Sequence, residues 1–99
     1  MAREVYRYSF PPEVSLDDVE ASLLLAVWAV ESLHGESQAR LDASHLLDKD
    51  KRSCVIDAAT PVGRDLNRLF VGYVRREFGC TFRVERIAGL PGKSEEVTA

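Results

Sequence analysis

The stretch S-L-D-D-V-E-A-S-L-L-L-A-V-W-A-V-E-S-L-H-G, Ser15 to Gly35, reads as one long helix with both ends marked. Ser15 is a good N-cap, Asp18 stands at the capping-box position, and Val14 is placed to staple to Val19 across the cap. Asp17, Asp18 and Glu20 lie at the positive end of the helix dipole, His34 suits the negative end, and Gly35 supplies a terminal residue able to take a positive φ. At about 100° per residue, Leu16, Val19, Leu23, Ala26, Val27, Val30 and Leu33 share one face, the stripe that a single sheet would bury. Leu24, Leu25 and Trp28 fall outside it, to one side and round the back among Asp17, Glu20, Glu31 and Ser32. Three large apolar side chains are therefore expected partly in water, and a cluster of that kind marks an interaction site.

Upstream of the helix, Glu4 to Phe10 alternates Tyr6, Tyr8 and Phe10 with Val5, Arg7 and Ser9, the pattern of a half-buried strand. Pro11 and Pro12 stop it, since neither can donate to a ladder. Downstream, a polar link over Glu36 to Gln38 leads to Ala39–Leu47, where Leu41, Ala43, His45 and Leu47 alternate with Arg40, Asp42 and Ser44, which predicts a second strand. Asp48 to Lys51 is a polar loop, and Ser53 to Ala59 predicts a third strand closing a hairpin. Thr60-Pro61 pairs a cap with proline at the first helical position, so a second helix is expected to Phe78, ended by Gly79. Leu66, Leu69, Phe70, Tyr73 and Val74 form its inner face, with Arg64, Arg68 and Arg75 opposite. A last strand runs from Thr81 to Ile87.

The resulting order β-α-β-β-α-β is the split βαβ arrangement of ferredoxin-like folds. It implies an α+β domain: a four-stranded antiparallel sheet in the order 4-1-3-2 with two helices on one face. Residues 1–88 are read as one domain and 89–99 as a disordered tail without periodicity. With 99 residues, a 45% hydrophobic and 29% charged composition and a net charge of −3, the chain is long enough for one modest core and has no global attraction to nucleic acid or anionic lipid. The apolar run Leu23 to Val30 is far short of a membrane span, no signal-peptide run precedes it, and the location expected is cytoplasmic. Cys54 and Cys80 form neither a CxxC pair nor a disulfide framework, and Cys54 is expected to be buried.

Several chemistries are missing their residues. An RNA-recognition motif needs exposed aromatics on its first and third strands, and Ser53 to Ala59 has none. Metal carriers of this topology use a CxxC, and acylphosphatases an arginine-containing glycine-rich loop where this chain has Pro11-Pro12-Glu13. Asp48-Lys49-Asp50 opens like a calcium loop, but Ser53 and Ala59 stand where glycine and glutamate are required. His34 and His45 lack an adjacent nucleophile. No cofactor, no metal and no catalytic residue are expected.

What is left is binding. The candidate interface is Leu24, Leu25, Trp28 and Gly72, the last a glycine inside the second helix that lets another backbone approach. A protein partner or a second copy, as a homodimer or an adaptor module, is expected there. The alternatives are an anion at the helix start formed by Thr60, Gly63 and Arg64, and nucleic acid on the Arg64, Arg68, Arg75 face, which Asp65, Glu77 and the acidic total charge disfavour. The open sheet face is expected to carry Arg7, Asp42, Asp57, Arg83 and Glu85 as a ladder of opposite charges.

Overall fold

The structure, a computed structural model, describes residues 4–87. Its elements are β1 (Val5–Ser9), α1 (Leu16–His34), α2 (Glu36–Asp42), β2 (Ser44–Asp48), β3 (Ser53–Asp57), α3 (Pro61–Phe78) and β4 (Arg83–Arg86). The four strands form one antiparallel sheet in the order β2-β3-β1-β4. β1 is central because its alternation works on both sides. Tyr8, opposite Cys54 on one neighbour and Val84 on the other, is fully buried, and the adjacent Arg7 faces away from the core.

The helices cover the face that carries Tyr8, Cys54 and Ile56, where these side chains pack with Val19, Ala26, Val30, Leu66, Phe70 and Val74. The Tyr8 and Phe70 rings meet edge to face at 4.8 Å, the geometry that the ring quadrupoles favour. The Tyr8 hydroxyl donates to Asn67 Oδ1 at 2.6 Å, so the polar end of this core residue is satisfied.

The start of α1 forms where the local signals put it, with Asp18 N–H donating to Ser15 Oγ. Its buried side chains are Val19, Ser22, Leu23, Ala26 and Val30. Leu33, expected inward, is instead 68% exposed. The core contact of α1 stops at Val30, and its last turn is held by His34 Nε2, 2.8 Å from Asp65 Oδ2 at the start of α3. Because β1 and β3 are antiparallel and α1 and α3 follow them on one face of the sheet, the two helices run antiparallel, which agrees with the contact between the end of α1 and the start of α3.

The strand expected over Ala39–Leu47 is corrected. Residues 36–42 form a short helix packed against α1 and α3, so the chain has three helices rather than two, and β2 begins only at Ser44. The pairs Arg40–Glu36 and Gln38–Asp42, each at 2.5 Å, are i,i+4 contacts that only a helix brings together. Gly35, at φ 89°, both ends α1 and begins α2, its N–H bound to Glu31 and its carbonyl to Ala39 N–H. Ala39 alone of α2 is buried, and Leu41 is 79% exposed.

The Pro11-Pro12 turn is fastened from the β2–β3 hairpin. Arg52 Nε donates to the Phe10 carbonyl at 3.1 Å, and Nη2 to those of Pro11 (2.7 Å) and Val14. Arg52, at the end of the hairpin turn, has φ 52°, a left-handed backbone at a non-glycine residue. The tail 89–99 lies outside the described residues.

Candidate functional site

At about 100° per residue Trp28 stands some 180° from Val19, at the back of α1 relative to the core. It is 60% exposed, with Leu24 (48%) and Leu25 (52%) on either side of it. α1 is thus apolar nearly all round, whereas a helix that serves only its own core carries polar residues outside. Acidic residues bracket the stripe: Asp17 and Glu20 toward the N-terminus, where both meet Lys49 Nζ (3.5 and 3.1 Å), and Glu31 toward the C-terminus.

α3 has the opposite arrangement. Its core side chains Val62, Leu66, Phe70 and Val74 occupy one arc, and Arg64, Arg68, Arg75 and Arg76 are exposed on the other. No ion pair joins any of these four arginines to an acid among the described residues. Asp65, expected to interrupt the basic face, is turned to His34. Gly72 is exposed, and a Cβ built on it would meet nothing within 4 Å. The helical layer therefore shows an apolar ridge with acidic ends beside a basic ridge with a gap in its side chains.

The candidate anion site is internally occupied. Thr60 Oγ1 accepts from Gly63 N–H at 2.9 Å as the cap of α3 and donates to the Asp42 carbonyl at 3.0 Å, while the Asp57 carboxylate accepts from Ala59 N–H at 2.9 Å beside it. Gly63 is required for packing: a Cβ there would lie 2.1 Å from the Asp57 carbonyl oxygen. Arg64 is exposed on the basic arc of α3.

On the open sheet face the structure brings together Arg7 and Glu85, directly opposite in register, with Arg7 Nε and Nη2 donating to Glu85 Oε1 at 3.1 and 2.5 Å. The guanidinium holds the Glu85 carboxyl below its ordinary pKa. Arg83, opposite Ser9, and Asp57, between Val5 and Ser44, lie on the same face by register. Asp42 is corrected: it belongs to α2 and not to the sheet. Val55 and Leu46, the latter 64% exposed, continue the Arg7 row as apolar residues.

One feature had no sequence signal once 39–47 was read as a strand. A cleft of about 230 Å³ opens between α1, α2 and β2, lined by Val27, Glu31, Ala39, Arg40, Ala43 and His45. Desolvation against the cleft wall lowers the His45 pKa, although the residue as a whole is exposed. Arg40 is engaged by Glu36 at the rim. Elsewhere the buried Cys54 thiol is pushed up to about 12 by desolvation, which leaves it inert as a nucleophile. Among the described residues no group of three or more His, Cys, Asp or Glu could hold a metal, and no helix is long and apolar enough to cross a membrane. Comparison with protein-family models, with curated proteins and with solved structures gives no match.

Proposed function

We propose that this chain is a binding domain without catalytic chemistry of its own, that its working surface is the outer face of α1, and that its partner is another copy of the chain. The observation that carries the reading is Trp28, 60% exposed at the back of a helix whose opposite face already fills the core. Folding of the single chain leaves Leu24, Leu25 and Trp28 about half exposed there, while association would remove the rest from water. In the same reading the architecture is a ferredoxin-like split βαβ with α2 inserted ahead of β2, and the compartment is the cytoplasm, where the exposed thiol of Cys80 stays reduced.

Light scattering across the micromolar range tests the proposal. The wild-type chain is expected as a dimer, and Trp28→Glu combined with Leu24→Lys as a folded monomer with unchanged circular dichroism. A wild-type monomer sinks the reading. So does a double variant that unfolds, which would make these residues part of the core, or one that stays dimeric, which would place the contact elsewhere.

A further inference from the structure

The acids on α1 and the arginines on α3 have the same spacing. Glu20, Leu24, Val27 and Glu31 follow one another at i, i+4, i+7 and i+11, and so do Arg64, Arg68, Val71 and Arg75. Each row is a straight stripe on its helix, and its charged ends stand about 16 Å apart at 1.5 Å per residue. Within one chain the two rows do not meet, since the arginines of α3 have no acidic partner among the described residues.

We propose that two copies stack their helical layers about a twofold axis that runs along the helices between α1 and α3, so that α1 lies antiparallel on the partner's α3. The proposal rests on the association reading above and specifies its register. A twofold axis in that direction keeps helix directions and exchanges sides, so α1 of one copy faces the partner's α3. These run antiparallel because α1 and α3 do so within the chain, following the antiparallel strands β1 and β3. Glu20 then meets the partner's Arg75, and Glu31 the partner's Arg64. Matching the stripes end to end sets Leu24 over the partner's Val71 and Gly72, where the missing side chain leaves room for it. Trp28 falls over the partner's Arg68, a guanidinium with no competing acid that can stack on the indole face. Twofold symmetry makes every such contact twice. The charges are complementary in this pairing and alike in the competing one, since α1 on the partner's α1 would bring acidic stripes together; the match therefore selects one arrangement.

Charge exchange tests this directly. Variant one carries Arg64→Glu and Arg75→Glu; variant two carries Glu20→Lys and Glu31→Lys. Each alone opposes like charges and is expected to lose at least about tenfold in self-association, whereas an equimolar mixture is expected to form a heterodimer, because both contacts are then complementary. The single tryptophan gives an independent readout: Trp28 emission should change on dimerisation of the wild type, and Arg68→Ala should reduce that change. Wild-type affinity should also fall as sodium chloride is raised.

The outcomes separate the two readings. If the wild type dimerises but the variants dimerise equally well, the α1–α3 register is overturned while association stands. Monomeric variants that fail to pair when mixed overturn it too, as does a wild-type affinity indifferent to salt. A monomeric wild type removes both readings, and if that monomer binds a labelled single-stranded oligonucleotide through Arg64 and Arg75, the arginines serve a polyanion instead. Circular dichroism confirms folding of each variant. Should variant two unfold because Lys49 has lost its acidic neighbour, Glu31→Lys alone with the salt series decides.

Discussion

Two glycines lie inside α3, and the structure predicts opposite effects for the same substitution. At Gly63, alanine would place its Cβ 2.1 Å from the Asp57 carbonyl oxygen and 3.1 Å from Thr60 Oγ1. The first neighbour is the backbone at the end of β3, which cannot swing aside as a side chain can. Either the first turn of α3 lifts from the sheet or the cap bond from Gly63 N–H to Thr60 Oγ1 opens. Overpacking of this sort costs about 1–3 kcal/mol and a lost cap about 1 kcal/mol, against a gain of up to about 1 kcal/mol from replacing glycine in a helix. Gly63→Ala should therefore destabilise by roughly 1–3 kcal/mol, which at this size lowers the melting temperature by about 4–8 °C per kcal/mol.

At Gly72 the added methyl meets nothing within 4 Å, so only the helix gain remains and Gly72→Ala should stabilise the single chain by about 1 kcal/mol. Urea denaturation at a concentration where the chain is monomeric, followed by far-ultraviolet circular dichroism, measures both. A Gly63→Ala midpoint at or above that of the wild type would refute the packing argument. A destabilised Gly72→Ala would show that the outer face of α3 is covered within the chain. The same variant should weaken the dimer proposed above, so that fold stability and association move in opposite directions.

The Arg52 clamp predicts an unusual order of stability. Arg52→Ala leaves the three carbonyls of Phe10, Pro11 and Val14 to water and should cost about 2–3 kcal/mol, whereas Arg52→Gly, which loses the same bonds but relieves a left-handed backbone strained by about 1–2 kcal/mol, should be the milder change in urea denaturation; the reverse order would show that the φ of 52° carries no strain. Acid sensitivity should come partly from His45, whose folded pKa lies below its unfolded value of about 6.5. Its contribution is fully present above that unfolded value and is lost as pH falls toward the folded pKa, since the unfolded chain then binds the proton more readily. His45→Gln should flatten the stability profile in that window, and an unchanged profile would place the ring in free water.

The parts of the fold legible in the sequence are those with local causes. Ser15 caps α1, Thr60 caps α3, and the alternation around Tyr8 and around Ile56 fixes which side chains of β1 and β3 point inward. The exposure of Trp28 was legible for the same reason, because helical periodicity alone sets it opposite Val19. The segment 36–42 was misread because Leu41, Ala43 and His45 happen to repeat every second residue, while what decides its conformation is the i,i+4 pairing of Glu36 with Arg40 and Gln38 with Asp42, together with the burial of Ala39. That error carried Asp42 onto the sheet face and hid the cleft beside His45. Arg52 and Gly63 act on residues brought near by the fold: the carbonyls of the Pro11 turn and of Asp57. No local pattern could indicate either.

Magnitudes decide why charge has to matter in an interface built on Leu24, Leu25 and Trp28. Full burial of a large apolar side chain contributes about 1.5–3 kcal/mol, and these three are already about half covered, so each can add only about half that range. Both copies together then gain something near 5–9 kcal/mol, while association costs an estimated 4–15 kcal/mol or more. The apolar ridge alone is thus close to break-even, and would hold two copies weakly and in no particular register. Desolvated charge pairs across an interface contribute about 1.5–7 kcal/mol in favourable cases and oppose the arrangements that juxtapose like charges. The unpaired arginines of α3 supply that term only if α1 of a second copy lies on them. Truncating Leu25 should therefore weaken the dimer less than reversing Arg75, even though Leu25 is the larger loss of apolar area, and light scattering of Leu25→Ala beside Arg75→Glu compares the two. If Leu25→Ala dissociates the chain while Arg75→Glu does not, burial alone drives association and the charged ends of the ridges are bystanders.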